Sequence, residues 1–99
     1  MITRIVKMTF QAETIDAFLA VFEQHEEKIR NVEGCIQMEA FRALNEKQVV
    51  FTYSLWKSED YLEKYRHSDL FKVVWQLTKP LFAAPAEAYS MEKIGHIKS

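Results

Sequence analysis

The stretch VVFTYSLWKSED, residues 49–60, decides how this chain folds. Its first eight residues alternate, with Val49, Phe51, Tyr53 and Leu55 on one side and Val50, Thr52, Ser54 and Trp56 on the other. That is the period of an extended strand, in residue types that favour one. Bulky side chains in both sets predict a strand covered on both faces. The strand stops abruptly, because Ser58 offers an N-cap and Glu59 and Asp60 place negative charge in the first turn of a helix.

Upstream, Asn45-Glu46-Lys47 is a short polar connection, and Cys35 to Leu44 alternates before it, which predicts an antiparallel hairpin. Gly34 punctuates the end of a preceding helix, being suited to a left-handed turn. In that helix Ile15, Phe18, Leu19, Phe22 and Ile29 recur at helical spacing, with Thr14 as the expected N-cap. Ile2 to Phe10 reads as a first strand, with Val6, Met8 and Phe10 on one face and Ile5, Lys7 and Thr9 on the other. Downstream, His67-Ser68-Asp69 is a fresh cap that breaks the second helical region in two. Phe71, Val74, Trp75 and Thr78 then share a face until Lys79-Pro80. Glu87 to Ile94 is the last strand, with Tyr89 and Met91 on one side.

The order β-α-β-β-α-β predicts an α+β, ferredoxin-like split βαβ fold, one antiparallel sheet with helices on one face. Helices cover one face only, so the other is expected to pack against a second copy in a two-fold homodimer.

Ninety-nine residues with 48% apolar and 13% aromatic content form one domain, residues 1–99. A net charge of −1 supplies no field for nucleic acid or an anionic membrane. The lone Cys35, the absence of a run near the length of a membrane span and the lack of a signal peptide point to a cytoplasmic protein. Gly34 and Gly95 are the only glycines, so no phosphate-cradling loop exists for a nucleotide or flavin. The three histidines are far apart and no Cys-x-x-Cys occurs, so neither a metal site nor a bound cofactor is expected.

Thr52 and Ser54 are unusual residues to bury beneath helices that project Phe18, Phe22, Phe71 and Trp75. Together with Trp56 they suggest an aromatic-lined pocket for a flat ring system. Tyr65, four residues after Tyr61, could reach the pocket mouth. His25, three after Phe22 and four before Ile29, faces or borders the apolar stripe and is one candidate base; His67, at the helix break, is the other. His96 reads as solvated, and the charged run Glu23 to Arg30 as the outer face of the first helix.

Three blocks, Val32-Glu33-Gly34-Cys35, Leu55-Trp56-Lys57-Ser58-Glu59-Asp60 and Ser68-Asp69-Leu70-Phe71, resemble the antibiotic biosynthesis monooxygenase domain family. The resemblance implies a dimeric α/β barrel, and chemistry that ranges from cofactor-independent oxygenation to haem degradation. In haem-degrading members a Trp matching Trp56 lines the pocket, a His stands four residues after the match to Phe71, and an Asn lies on the first strand. Here the His position is Trp75 and the Asn position falls at Lys7 or Met8, which disfavours haem degradation. Quinol-oxidising and signal-isomerising branches carry a His directly before the match to Phe71, where this chain has Leu70. The expected function is cofactor-independent oxygenation of a small aromatic or quinol-type molecule. In it Trp56 would orient the substrate, His25 or His67 would take a proton, and Phe22, Thr52, Ser54, Tyr65, Phe71 and Trp75 would line the site. The alternative is a non-catalytic dimeric protein that binds such a molecule, with a haem-binding role as an outsider; the residues leave open whether the protein is an enzyme.

Overall fold

A computed structural model describes residues 1–95. The elements run β1 (Ile2–Thr9), α1 (Ile15–Arg30), β2 (Cys35–Arg42), β3 (Val49–Trp56), α2 (Glu59–Arg66), α3 (Asp69–Thr78), a 3-10 turn (Lys79–Leu81) and β4 (Glu87–Met91). All strand pairs are antiparallel, in the order β2-β3-β1-β4 that a split βαβ arrangement requires. The expected α+β ferredoxin-like fold is therefore the observed one.

β3 occupies the span its alternation predicts and pairs with β1 over eight consecutive positions, from Ile2 with Trp56 to Thr9 with Val49. This register places Arg4, Val6 and Met8 on the same face as Val50, Thr52, Ser54 and Trp56. The helices pack on that face, and Met8, Phe10, Ile15, Phe18 and Val50 form the sealed core there. The Phe10 and Phe18 rings stack with centroids 4.3 Å apart.

Several boundaries differ from the sequence-based expectation. β1 ends at Thr9, and Phe10 instead makes an isolated bridge to Phe82 while its ring drops into the core. β2 stops at Arg42. β4 stops at Met91 and not Ile94, because its sole partner β1 begins at Ile2, one position beyond the Thr3–Met91 pair. Thr14 sits at the N-cap of α1 without capping it: its hydroxyl donates to the Leu81 carbonyl at 2.7 Å, tying the helix start to the 3-10 turn. Ser58 likewise makes no side-chain cap bond. Ser68 does cap, accepting the Phe71 N–H at 3.2 Å, and so fixes the break between α2 and α3.

α1 ends at Arg30, where the Asn31 N–H bonds the Glu27 carbonyl. Gly34 stands farther on, at the entry to β2, with φ of 87°. Two constraints require glycine there. The backbone is left-handed, and a Cβ would run into the Tyr61 ring.

The opposite sheet face carries Ile5, Phe51, Tyr53 and Leu55, partly exposed, and Phe41, Tyr89 and Met91, which are 52%, 53% and 44% exposed. Among the described residues no helix is long and apolar enough to cross a membrane. His96 lies outside the described residues.

Candidate functional site

Toward the Trp56 end of the helix-covered face, the space between sheet and helices opens into a cavity of about 360 Å³. That volume lies in the range of small-molecule sites. Its sheet side includes the short side chains Thr52 and Ser54 from β3 and Ala88 from β4, beside Arg4, Val6 and Met8 from β1. Phe18, Phe22, Tyr65, Phe71 and Trp75 supply the helical walls, and Trp56 closes one end.

The rings form an unbroken line of contacts. Trp56 stacks on Tyr65 at 5.1 Å, Tyr65 meets Phe71 edge-on at 5.3 Å, and Phe71 stacks on Trp75 at 6.1 Å. Trp75 then meets Phe82 edge-on at 5.6 Å, and the line passes through Phe10 and Phe18 to Phe22. Offset-stacked and edge-to-face pairs of this kind hold rings in fixed orientations.

Polar groups are few and placed. The Trp56 indole N–H donates to Ser54 Oγ at 2.9 Å, a buried bond that fixes the ring. Ser54 therefore acts on the cavity through Trp56. Tyr65 is mostly buried, and its phenol is pushed up to about 12, first by that burial and then by the nearby Cys35 thiol. Like any phenol, the hydroxyl is protonated at neutral pH and can donate a hydrogen bond, and the shift extends that state to higher pH. The Cys35 thiol is itself pushed up by burial, against a smaller opposing effect of its contact with the Gln37 carbonyl.

Two charged lining residues escaped the sequence reading: Arg4 and Arg66. Arg66 is exposed, so the cavity opens to solvent on that side, and it pairs with Glu63 at 2.7 Å. Arg4 is half-buried and donates from Nη1 to Ser90 Oγ at 2.8 Å. Burial weakens the hold of Arg4 on its proton, and the like charge of Arg66 adds to this, while Glu63 opposes it. The signal for Arg4 was its parity with Val6 and Met8, which puts a cation on the covered face of β1.

The structure brings Phe22, Thr52, Ser54, Trp56, Tyr65, Phe71 and Trp75 around one cavity. It does not bring the histidines with them. His25 is half-buried on α1 between the lining residues Phe22 and Ile29, and its Nδ1 is 2.7 Å from the Val21 carbonyl. In the tautomer that donates there, Nε2 keeps its lone pair. His67 points to solvent, with Nδ1 2.8 Å from the Glu63 carbonyl. Tyr61 packs over Gly34 and away from the cavity lining. Among the described residues no group of three or more His, Cys, Asp or Glu is placed to hold a metal ion.

Residues 1–76 match the family model described as Antibiotic biosynthesis monooxygenase. A conserved protein from Methanosarcina mazei Go1 superposes with a TM-score of 0.89 at 23% identity, over 93% of this chain and 91% of that one. A structure described as an antibiotic biosynthesis monooxygenase superposes with a TM-score of 0.90 at 17% identity, over 96% of this chain and all of that one. One from Caulobacter crescentus CB15 gives 0.88 at 22% identity, over 95% and 90%. At such identities the likeness is one of fold. No curated protein matches the chain.

Proposed function

This chain belongs to the antibiotic biosynthesis monooxygenase family, and on that premise we propose that it is a cofactor-independent monooxygenase of a small hydroxyaromatic or quinol-type substrate. The observation that carries the reading is the unbroken line of rings around a cavity floored in part by small side chains. An electron-rich flat molecule fits between such walls, out of water and in a fixed orientation.

In the overall reaction a ring C–H becomes C=O and the phenolic O–H becomes the second C=O. One atom of dioxygen enters the substrate, and the other leaves as water with the two hydrogens. The substrate supplies all the electrons, so the protein needs to provide geometry, a proton acceptor and a donor to the developing oxyanion. Trp56, fixed by Ser54, sets the substrate plane. Tyr65, protonated at neutral pH, donates to the oxyanion. His25 takes the phenolic proton at Nε2 through a water, since it stands beside the wall; His67 faces solvent and serves this role less well. Thr52 lies on the floor, and Phe22, Phe71 and Trp75 form the walls.

Oxygen uptake by the purified, metal-stripped protein with anthrones, hydroquinones and catechols tests this, against controls for autoxidation. Protein-dependent uptake that falls at least about tenfold in Trp56→Phe supports it, a loss of about 1.4 kcal/mol of transition-state stabilisation.

A non-catalytic binding protein is the second reading. It is favoured by the cavity lining, which contains neither an imidazole nor a carboxylate among the described residues. It requires ligand-dependent thermal stabilisation without oxygen uptake. A haem role is the poorest fit, since Trp75 stands four residues after Phe71 and no imidazole lines the cavity. We also propose a homodimer through the open sheet face, where Phe41, Phe51, Tyr53 and Tyr89 gather apolar surface that the chain itself leaves uncovered. Light scattering at micromolar concentration would give twice the chain mass.

A further inference from the structure

We propose that the molecule bound in this cavity is an aromatic anion, its ring held among Tyr65, Phe71 and Trp75 and a carboxylate seated on the Arg4 guanidinium. The inference rests on the cavity being a binding site and names the chemical class of its occupant.

The cavity lining carries an imbalance of charge. Among the described residues, the charged members of the cavity lining are Arg4 and Arg66, both cations. The single carboxylate near them is Glu63, and its close contact is with Arg66 at 2.7 Å. Two guanidiniums thus share one acidic group, which leaves one positive charge in excess at the open side of an otherwise apolar space.

Arg4 carries that excess. Its hydrogen bond goes to a neutral hydroxyl, Ser90 Oγ, and no carboxylate lies within ion-pair distance of it among the described residues. A guanidinium has five N–H donors in a planar fork, so the bond to Ser90 leaves an edge able to take a carboxylate in two parallel hydrogen bonds. Partly withdrawing a cation from water with no counter-charge beside it costs free energy, some of which an arriving anion returns. The weakened hold of Arg4 on its proton, caused by burial and by Arg66, points the same way.

Position supports the assignment. Arg4 faces Ser54 across the β1–β3 pairing, and Ser54 holds the indole of Trp56. The guanidinium is therefore at the cavity end where Trp56 and Tyr65 stack, anchored on the rigid centre of the sheet and not on a loop.

The test uses a matched pair of probes, 2-naphthoate and its neutral isostere 2-naphthamide, titrated calorimetrically at about 50 mM salt, where screening is modest. With the unaltered protein, 2-naphthoate should bind at least about tenfold more tightly than the amide. Arg4→Met should bring the two within about twofold of each other without weakening the amide, and Arg4→Lys should restore part of the difference, since it keeps the charge and loses the fork. Circular dichroism checks that both variants fold. Equal affinities in the unaltered protein, or a tenfold preference that survives Arg4→Met, would overturn the proposal while leaving the cavity a binding site. Failure of both probes to bind would overturn the binding-site reading together with it.

Discussion

At one end of the helix-covered sheet face Phe10 and Phe18 stack at 4.3 Å within a sealed core, whereas at the other Trp56 and Tyr65 stack at 5.1 Å beside a cavity of about 360 Å³. Both ends are rich in aromatic rings, so aromatic density does not separate core from site. The sheet beneath them does. Under the sealed end the strands present Val50, while Met8 and Phe18 belong to the core and also border the cavity. Under the open end they also present the short Thr52, Ser54 and Ala88, and rings anchored on the helices span the gap without filling it. The polar groups follow the same division: the three buried hydroxyls, Thr52, Ser54 and Thr78, and the half-buried Arg4 line the cavity.

The sealed end should therefore carry stability. Phe10 is fully buried and touches both Phe18 and Phe82. Phe10→Ala is expected to cost about 3–5 kcal/mol, the range for a large ring lost from a core that cannot collapse around the void. Chemical denaturation monitored by circular dichroism gives the value; a loss below about 1 kcal/mol would mean that this end is no more tightly built than the other.

The open end should reveal itself through pH. Folding raises Tyr65 to about 12 from its ordinary value near 10. Below that ordinary value both states keep the proton and the group contributes nothing to pH dependence. Between about 10 and 12 the unfolded chain ionises while the folded one does not, so stability falls as pH rises, by about 2–3 kcal/mol from this group. Tyr65→Phe should lack that decline. The urea midpoints of the two proteins, compared at about pH 9 and about pH 12, isolate it, since all other groups titrate in both. Parallel declines would show that the Tyr65 phenol is well solvated.

Much of this arrangement could be read from the chain. The alternation of β3 and the cap at Ser68 are local signals, and both elements formed where local chemistry placed them. The seven wall, floor and end residues came mostly from the family resemblance and in part from the hydroxyl-bearing face of β3. What escaped was non-local. The Thr14 hydroxyl goes to a carbonyl 67 residues away, and no local rule anticipates that partner. Gly34 was read as a helix terminator, whereas its φ and the Tyr61 ring make it a requirement of the β2 entry. Arg4 was concealed by an alternation that draws the eye to apolar residues. The positions of His25 and His67 depend on how α1 and the α2–α3 corner sit against the sheet, which periodicity fixes only coarsely.

The finest test of the contrast alters the floor and leaves the walls alone. Thr52 is 8% exposed and lines the cavity from the middle of β3, opposite Val6. In a close-packed core, added carbon at such a site forces strain of about 1–3 kcal/mol. Here the added carbon of Thr52→Leu enters open space, and apolar contact with the rings above offsets the poorer strand propensity of leucine. Stability is expected to change by less than about 1 kcal/mol while affinity for 2-naphthamide falls by about tenfold or more, because the space the probe needs is occupied. Thermal unfolding and calorimetric titration of the same sample give both numbers. A large loss of stability with affinity preserved would place the probe elsewhere and mark this end as core, which would erase the distinction between the two ends.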